Sequence, residues 1–489
     1  MYSPFDELPQ EVLEKILSFL PRGKENRFRD LRLVSRRLDT IVSAEIFYKI
    51  SFLAFRPFPV YPKQGIAETE SVCKNIKLLN LSSGIPADRH EIDSRSWLKL
   101  MELFIPKLTN LTCLVWWHVI VDCDYGPRGV ERMIGLFGSL PNLRELTLGL
   151  YAYPPIELHR YKPDEDFHFP LEPISNLHKL GVTWELERRP PPTILQQISA
   201  LIARSPNMEE FKFVIPYAYY RQEGYGTQVT LGEIFEGALS MNTPLRLRSL
   251  ETRAVVVDGI DFRRHLRHFY HLERLRVRHD PSSSATRNIG EVLEALSSER
   301  IYLQNIHIDA ISDPRVFDYL STFSGVQELS LKPGGPLDDS PALIKRFFQS
   351  VLPAQSGSLR FLRLGGNLRT QWSRLIRVQD LSRLMECQLL ENIFCWVWVT
   401  FEEAQSKDST VLDRWFETAV QLRSLKQLKC PPVTLKERRF ESRTVSEQSL
   451  PGQAKHDSEV RMFVEKVAFE FKRKWQGKAG FCIDTRYGK

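Results

Sequence analysis

Residues 272–278 read Leu272-Glu273-Arg274-Leu275-Arg276-Val277-Arg278: an apolar residue, two others, an apolar residue, one other, and a third apolar residue. The closing alternation has the period of a strand with one buried face, so Leu275 and Val277 point into a core while the arginines point away from it. The same rhythm recurs from residue 72 to about 430. It stands at Ile76/Leu79/Leu81, Leu143/Leu146/Leu148, Leu177/Leu180/Val182 and Met208/Phe211/Phe213. It returns at Leu303/Ile306/Ile308, Val326/Leu329/Leu331, Leu359/Leu362/Leu364 and Leu384/Cys387/Leu389, with weaker copies starting at Leu111, Leu247 and Leu425. Successive starts are about 32 residues apart on average, within the range of solenoid repeats. Helix-like stretches fall between them at 193–204, 231–240 and 289–297.

One short strand and one helix per unit resembles leucine-rich-repeat architecture. That implies an α/β fold in which units stack into a solenoid, with a curved parallel sheet on the inner face and helices outside. The match is degenerate. Only two units continue to the Asn that would bond the backbone of neighbouring turns, Asn367 and Asn392, and the spacing exceeds the usual 20–29 residues. Loops inserted at 59–71, 151–170, 216–230 and 333–341 account for the excess. The alternative is a conventional α/β domain whose strands share the rhythm.

Ahead of the array lies a helical module. Pro9 suits a first helical turn, with Asp6, Glu7 and Glu11 around it, and Val12, Leu13, Ile16, Leu17, Phe19 and Leu20 follow at helical spacing. Pro21 and Gly23 break that helix, and a second runs from Arg29 to about Ser43. Some 45 residues cannot bury so much apolar surface alone, so a face must meet the rest of the chain or another protein.

The string from Leu8 to Pro21 (LPQEVLEKILSFLP) resembles the opening helix of an F-box, and Leu31 to Leu38 (LRLVSRRL) resembles its second block. Order and distance agree with the family. Leu38 stands where many members carry Trp, and the segment between the blocks is unusually charged. F-box followed by a leucine-rich array is a combination often large and divergent in fungi. The resemblance implies binding to a Skp-type adaptor and, through it, to a cullin-RING complex, with the rest of the chain choosing what is ubiquitinated. Carried over, Leu8, Pro9, Leu13, Ile16, Leu17 and Leu20 supply apolar anchors, and Leu31, Leu33, Val34 and Ser35 complete the adaptor surface. The chain then divides into an F-box at 1–50, a linker at 51–71, the solenoid at 72–431, a polar linker at 432–459, and a basic C-terminal helix and tail at 460–489.

Composition limits the other possibilities. Of 489 residues 42% are hydrophobic and 26% charged, enough apolar material for a sizeable core. The net charge of +7 is a weak bias for a nucleic-acid binder of this size, and residues 436–489 hold 13 basic against 8 acidic side chains. Seven scattered cysteines without a C-x-x-C pair fit reduced thiols in the cytoplasm or nucleus. The acidic, polar start MYSPFDELPQE does not read as a secretion signal, and the apolar run at 393–401 is too short to span a membrane. No phosphate-loop, dinucleotide, nucleophile-elbow or zinc-protease motif occurs. His265, His268 and His271 stand among Arg263, Arg264 and Arg267, which oppose a bound cation, so the histidines read as part of a basic surface. A non-catalytic protein without cofactor or metal is expected.

Binding residues are then sought on the strand face away from the core. Arg274, Arg276 and Arg278 share one strand, Arg253 and Glu251 precede them, and His307 with Asp309, Lys332 and Arg363 follow. Arg forks match carboxylate and phosphate, so this face fits an acidic or phosphorylated segment of a protein target. The plainer reading is a solvated face paired with Glu273 and neighbouring acids. Trp117, beside Val115, is a second candidate, as are Trp396 and Trp398, because Trp is favoured at binding hot spots. Together these features predict a substrate receptor of an SCF-type (Skp-cullin-F-box) ubiquitin ligase. The alternative is an interaction scaffold whose F-box-like helices cap the solenoid or hold the adaptor alone.

Overall fold

Each three-point motif forms the end of a turn and the strand that follows, because alternate apolar side chains bury only when the strand lies flat against a helix layer. The computed structural model describes residues 8–9, 11–13, 15, 41–42, 48–53, 70–82, 94–120, 126–151, 169–185, 189–216, 228–278, 289–311, 313–333, 341–365, 382–395, 397–398, 417–419, 421–429, 432–433, 469 and 482–484. The chain forms two units, Met1–Val229 with Glu233–Arg246, and Thr230–Gly232 with Leu247–Lys489.

The first unit contains β1 (Lys49–Leu53), β2 (Leu78–Ser82), β3 (Cys113–Ile120), β4 (Glu145–Tyr151), β5 (Lys179–Trp184) and β6 (Glu210–Val214). Each pairs in parallel with the next. The second unit contains β7 (Ser249–Arg253), β8 (Arg274–Arg278), β9 (Asn305–Ile311), β10 (Glu328–Pro333), β11 (Phe361–Leu364), β12 (Asn392–Cys395), β13 (Val397–Trp398), β14 (Gln427–Lys429), β15 (Pro432–Val433) and β16 (Cys482–Asp484). Strands β7 to β12 follow one another in parallel, then β14 and β16, while β13 and β15 pair separately. Sequential parallel strands with helical crossovers make this the expected α/β leucine-rich-repeat solenoid. The sheet starts at β1, ahead of the first motif at Ile76.

Register turns the motif into ladders. Leu79, Leu114, Leu146, Leu180 and Phe211 lie side by side in the first unit, as do Leu250, Leu275, Ile306, Leu329, Leu362, Ile393 and Leu428 in the second. All are buried, as is the residue that opens each motif. The helices Pro192–Ala203 and Ile289–Ser298 match the stretches at 193–204 and 289–297, whereas 231–240 splits into an α-helix, Leu231–Phe235, and a 3-10 turn, Glu236–Ser240. Ile194, Leu195, Ile198, Leu201 and Ile202 form the buried stripe of the first of these helices.

The turn before each strand satisfies its own backbone in a repeating way. Glu273 N and Arg274 N both donate to Arg248 O, Gln304 N and Asn305 N to Glu273 O, and Gln327 N and Glu328 N to Gln304 O. Two consecutive donors on one carbonyl of the preceding turn fix the stacking of unit on unit. Asn110 Nδ2 donates to Lys74 O and Asn142 Nδ2 to Thr109 O, each 2.8 Å away, which adds side-chain rungs in the first unit.

Two sequence expectations need correction. The last-but-one repeat is not framed on Leu384/Cys387/Leu389: Leu384 lies in a helical turn and Leu389 is solvent-exposed. Its strand is β12, framed on Leu390/Ile393/Cys395, which keeps Ile393 in register with Leu362. Asn392 therefore opens the strand, beside Phe361, and is not the asparagine of an inter-turn ladder. Asn367 and most of the inserted loops lie outside the described residues, as does the stretch expected to form the C-terminal helix, Phe469 excepted.

Candidate functional site

In the N-terminal module, Val12 N and Leu13 N both donate to Pro9 O at 3.1 and 3.2 Å, so a helical turn starts at the proline as its fixed φ favours. Leu13 is buried, Leu8 half-buried, and Pro9 and Val12 are exposed. Ile41 and Val42 are buried and helical. Ile16, Leu17, Leu20, Leu31, Leu33, Val34 and Ser35 lie outside the described residues.

The strand face away from the helices carries the candidate binding residues of the second unit. Register places Glu251 beside Arg276, Arg276 beside His307, His307 beside Ser330, and Ser330 beside Arg363. This row continues to Phe394, and the Arg363 guanidinium carbon stands 4.5 Å from the centre of that ring. Two residues further along the strands lie Arg253, Arg278, Asp309 and Lys332. Arg253 is in register with Arg278, and Val277 beside Ile308 brings Arg278 next to Asp309. Arg274 opens β8 on the same face, beside Ser249 and Asn305. The structure thus brings together every arginine and histidine candidate of this unit.

Charge on this face is unbalanced. Asp309 Oδ1 accepts from His307 Nε2 at 3.0 Å and from Lys332 Nζ at 2.9 Å. An ionised carboxylate only accepts, so His307 carries its proton on Nε2. Burial holds the His307 imidazole below its ordinary range, against the pull of Asp309. Burial would raise the Asp309 carboxyl, but the bonds from His307 and Lys332 prevail and lower it. Lys332 and Arg363 are pushed down, first by burial and also by the positive charge of Arg278. Glu251 is shared at longer range, 3.9 Å from Arg276 and 4.0 Å from Arg278. Glu273 instead faces Arg248 at the strand start.

Among the described residues, the buried polar atoms of this cluster that make no hydrogen bond include Arg278 Nε, Ser330 Oγ and Arg363 Nε. Leaving a buried donor unsatisfied costs about 1–3 kcal/mol, so a fold keeps such atoms only where something else offsets the loss.

Trp117 lies in the first unit, on the open face of β3, beside Ser82 and half-buried. It leans over Gly149 in β4: a Cβ built on that glycine would fall 3.0 Å from Trp117 Cζ3 and 3.2 Å from Cδ2. Val115 sits two residues earlier on the same face, half-buried, while Trp396 and the side chain of Trp398 lie outside the described residues.

The histidines at 265 and 268 are not part of a basic surface. Both are buried in the crossover between β7 and β8, with rings 6.5 Å apart, and Arg267 Nε lies 3.2 Å from His268 Nε2. Among the described residues no group of His, Cys, Asp and Glu could hold a metal ion, and no helix is long and apolar enough to cross a membrane. Cys113 is pushed up to about 11 by burial and by Glu145, and Cys387 to about 12 by burial and Glu386, so these thiols stay protonated at neutral pH.

Signals missed in the sequence lie in the turns. Asn precedes the first apolar residue of five consecutive repeats, at Asn75, Asn110, Asn142, Asn176 and Asn207, and the second and third of these make the inter-turn bonds described above. The Asp309–Lys332 pair spans two strands and becomes visible only once their register is known.

No protein-family model matches the chain, and no curated protein matches it in sequence. Among solved structures it is similar to a chain in the crystal structure of the Rad7 and Elc1 complex in yeast. Identity is 12%, the TM-score is 0.40, and the match covers 87% of this chain and 89% of that one.

Proposed function

We propose that this protein is a non-catalytic substrate receptor of an SCF-type ubiquitin ligase. The supporting observation is the order of its parts: two F-box-like blocks, with a helical turn starting at Pro9, precede a parallel-strand solenoid with a charged open face. The N-terminal helices bind a Skp-type adaptor through apolar anchors, and the repeats hold a target protein. The contribution to catalysis is proximity, since a held target lies near a charged ubiquitin-conjugating enzyme.

Co-purification with a Skp-type adaptor and a cullin tests this reading. Wild type is compared with Leu8→Ala/Leu17→Ala/Leu31→Ala, which leaves the buried Leu13 in place so that the module keeps its core. Wild type should retain both partners, and the variant should lose both while its circular dichroism is unchanged. A folded wild type that binds adaptor but no cullin is a scaffold, and one that binds neither has helices that only cap the solenoid; each result ends the ligase reading.

A further inference from the structure

Among the described open-face residues of β7 to β11, the row from Glu251 to Arg363 and the one beyond it carry more positive than negative charge, and the excess is local. Lys332 is tied to Asp309 at 2.9 Å. Arg278 meets a carboxylate only at the 4.0 Å of Glu251, and Arg363 rests on an aromatic ring. Ser330 stands between His307 and Arg363 in register, is 5% exposed, and its hydroxyl bonds to nothing. Strands β8 and β10 are two inter-strand steps apart, about 10 Å, so the long side chains of Arg278, Lys332 and Arg363 can converge above β9 and β10.

We propose that Arg278, Ser330 and Arg363, flanked by Lys332, form an oxyanion site that takes the phosphate of a phosphorylated serine or threonine in an extended segment of a bound protein. The unbonded Nε–H groups and the hydroxyl are donors already desolvated and lacking an acceptor, which is what a phosphate with three acceptor oxygens supplies. With Lys332 neutralised by Asp309, a dianion matches the two guanidinium charges of Arg278 and Arg363 in this site, whereas a single carboxylate matches one. Glu251 and Asp309 lie in the same two rows and repel a continuous chain of phosphates, so a nucleic-acid backbone fits poorly. The mutual repulsion of Arg278, Lys332 and Arg363 points the same way. The proposal rests on reading the solenoid as the part that holds the target, but does not require adaptor binding.

The test uses the full chain and three fluorescent peptide mixtures, degenerate around a central phosphoserine, serine or glutamate. Inorganic phosphate and a single-stranded oligonucleotide serve as competitors. The phosphoserine mixture should bind at least tenfold more tightly than the other two, and inorganic phosphate should displace it. Arg363→Gln and Arg278→Gln should abolish the preference, Ser330→Ala should weaken it several-fold without risk to folding, and Arg383→Gln, in an exposed pair with Glu386 in the helical turn ahead of β12, should leave it intact. Equal binding of all three mixtures, a preference unchanged in folded Arg363→Gln and Ser330→Ala, or tighter binding of the oligonucleotide would overturn the proposal. Binding of phosphate with no peptide preference would do so as well. Adaptor capture is measured on the same preparations, so loss of the ligase reading and loss of this site are separate results.

Discussion

Asp309 Oδ1 lies 2.9 Å from the ammonium of Lys332, across the neighbouring strands β9 and β10. The Asp309 side chain is only 6% exposed, so the pair is held largely out of water. Removing one member leaves the other charge buried without its partner, which costs more than the intact pair contributes. Asp309→Asn should therefore destabilise the protein by about 2–4 kcal/mol, less than for a fully buried pair because Lys332 keeps some contact with solvent. Chemical denaturation measures this, and Asp309→Asn/Lys332→Met should regain most of the loss. A single variant within about 0.5 kcal/mol of wild type, the range of an ordinary surface substitution, would contradict the pairing.

Acid should weaken the same region through two groups. His307 is held below its unfolded value of 6.5, because burial disfavours the imidazolium. Asp309 is held below 3.8, because its bonds from His307 and Lys332 outweigh burial. For both groups the unfolded chain binds protons more readily, so stability is full above the unfolded pKa and declines as pH falls through the folded one. Denaturation midpoints should drop between pH 7.5 and 5 through His307, and further near pH 3 through Asp309. His307→Gln should flatten the first decline and keep the second, because Lys332 still bonds Asp309. An equal decline in that variant down to pH 5 would assign the effect elsewhere.

Gln355 serves the backbone more than its own surroundings. It is fully buried, its Nε2 donates to Leu320 O at 2.7 Å and Phe323 O at 2.6 Å, and its Oε1 accepts from Gly325 N and Val326 N at 3.2 and 3.0 Å. Gly325 takes φ +131°, a conformation glycine adopts without strain, so the turn needs both that residue and an outside partner for its amides. Gln355→Leu keeps the volume and strands these groups, although Ser358 Oγ still serves Gly325 N. The expected cost is about 3–5 kcal/mol, with the Val326 amide losing hydrogen-exchange protection. Unchanged protection at Val326 would rule out this role.

Much of this arrangement was legible in residues such as Leu272, Leu275 and Val277, because period-two alternation and a fixed interval both follow from strand geometry. The arginines of β8 were legible for the same reason, since every second residue faces away from the core. Where the sequence misled, two patterns overlapped: Leu384 and Cys387 are three apart, which suits a helical turn as well as a strand approach. His265 and His268 looked solvated because arginines flank them, but the helical turns leave Arg263 and Arg264 in solvent, bury both rings, and set Arg267 against His268. The partners of Asp309 could not be read at all, since Lys332 is 23 residues away and meets it only through strand register.

Trp117 and Gly149 offer the sharpest test of register in the first unit. They face one another from β3 and β4, and the indole fills the space where any other residue would carry its Cβ. A glycine inside a strand gives up chain entropy on folding, so its presence here fits close approach of a large side chain. Gly149→Ala must push the ring outward or strain the strand, at about 1–3 kcal/mol. Trp117→Ala loses the buried part of the indole but makes room for the new methyl. The double variant Trp117→Ala/Gly149→Ala should then be more stable than the sum of the single changes predicts, by about 1 kcal/mol or more. Additive effects would mean that the two residues do not touch, and with that the alignment of β3 on β4 at its irregular step after Trp116 would be wrong.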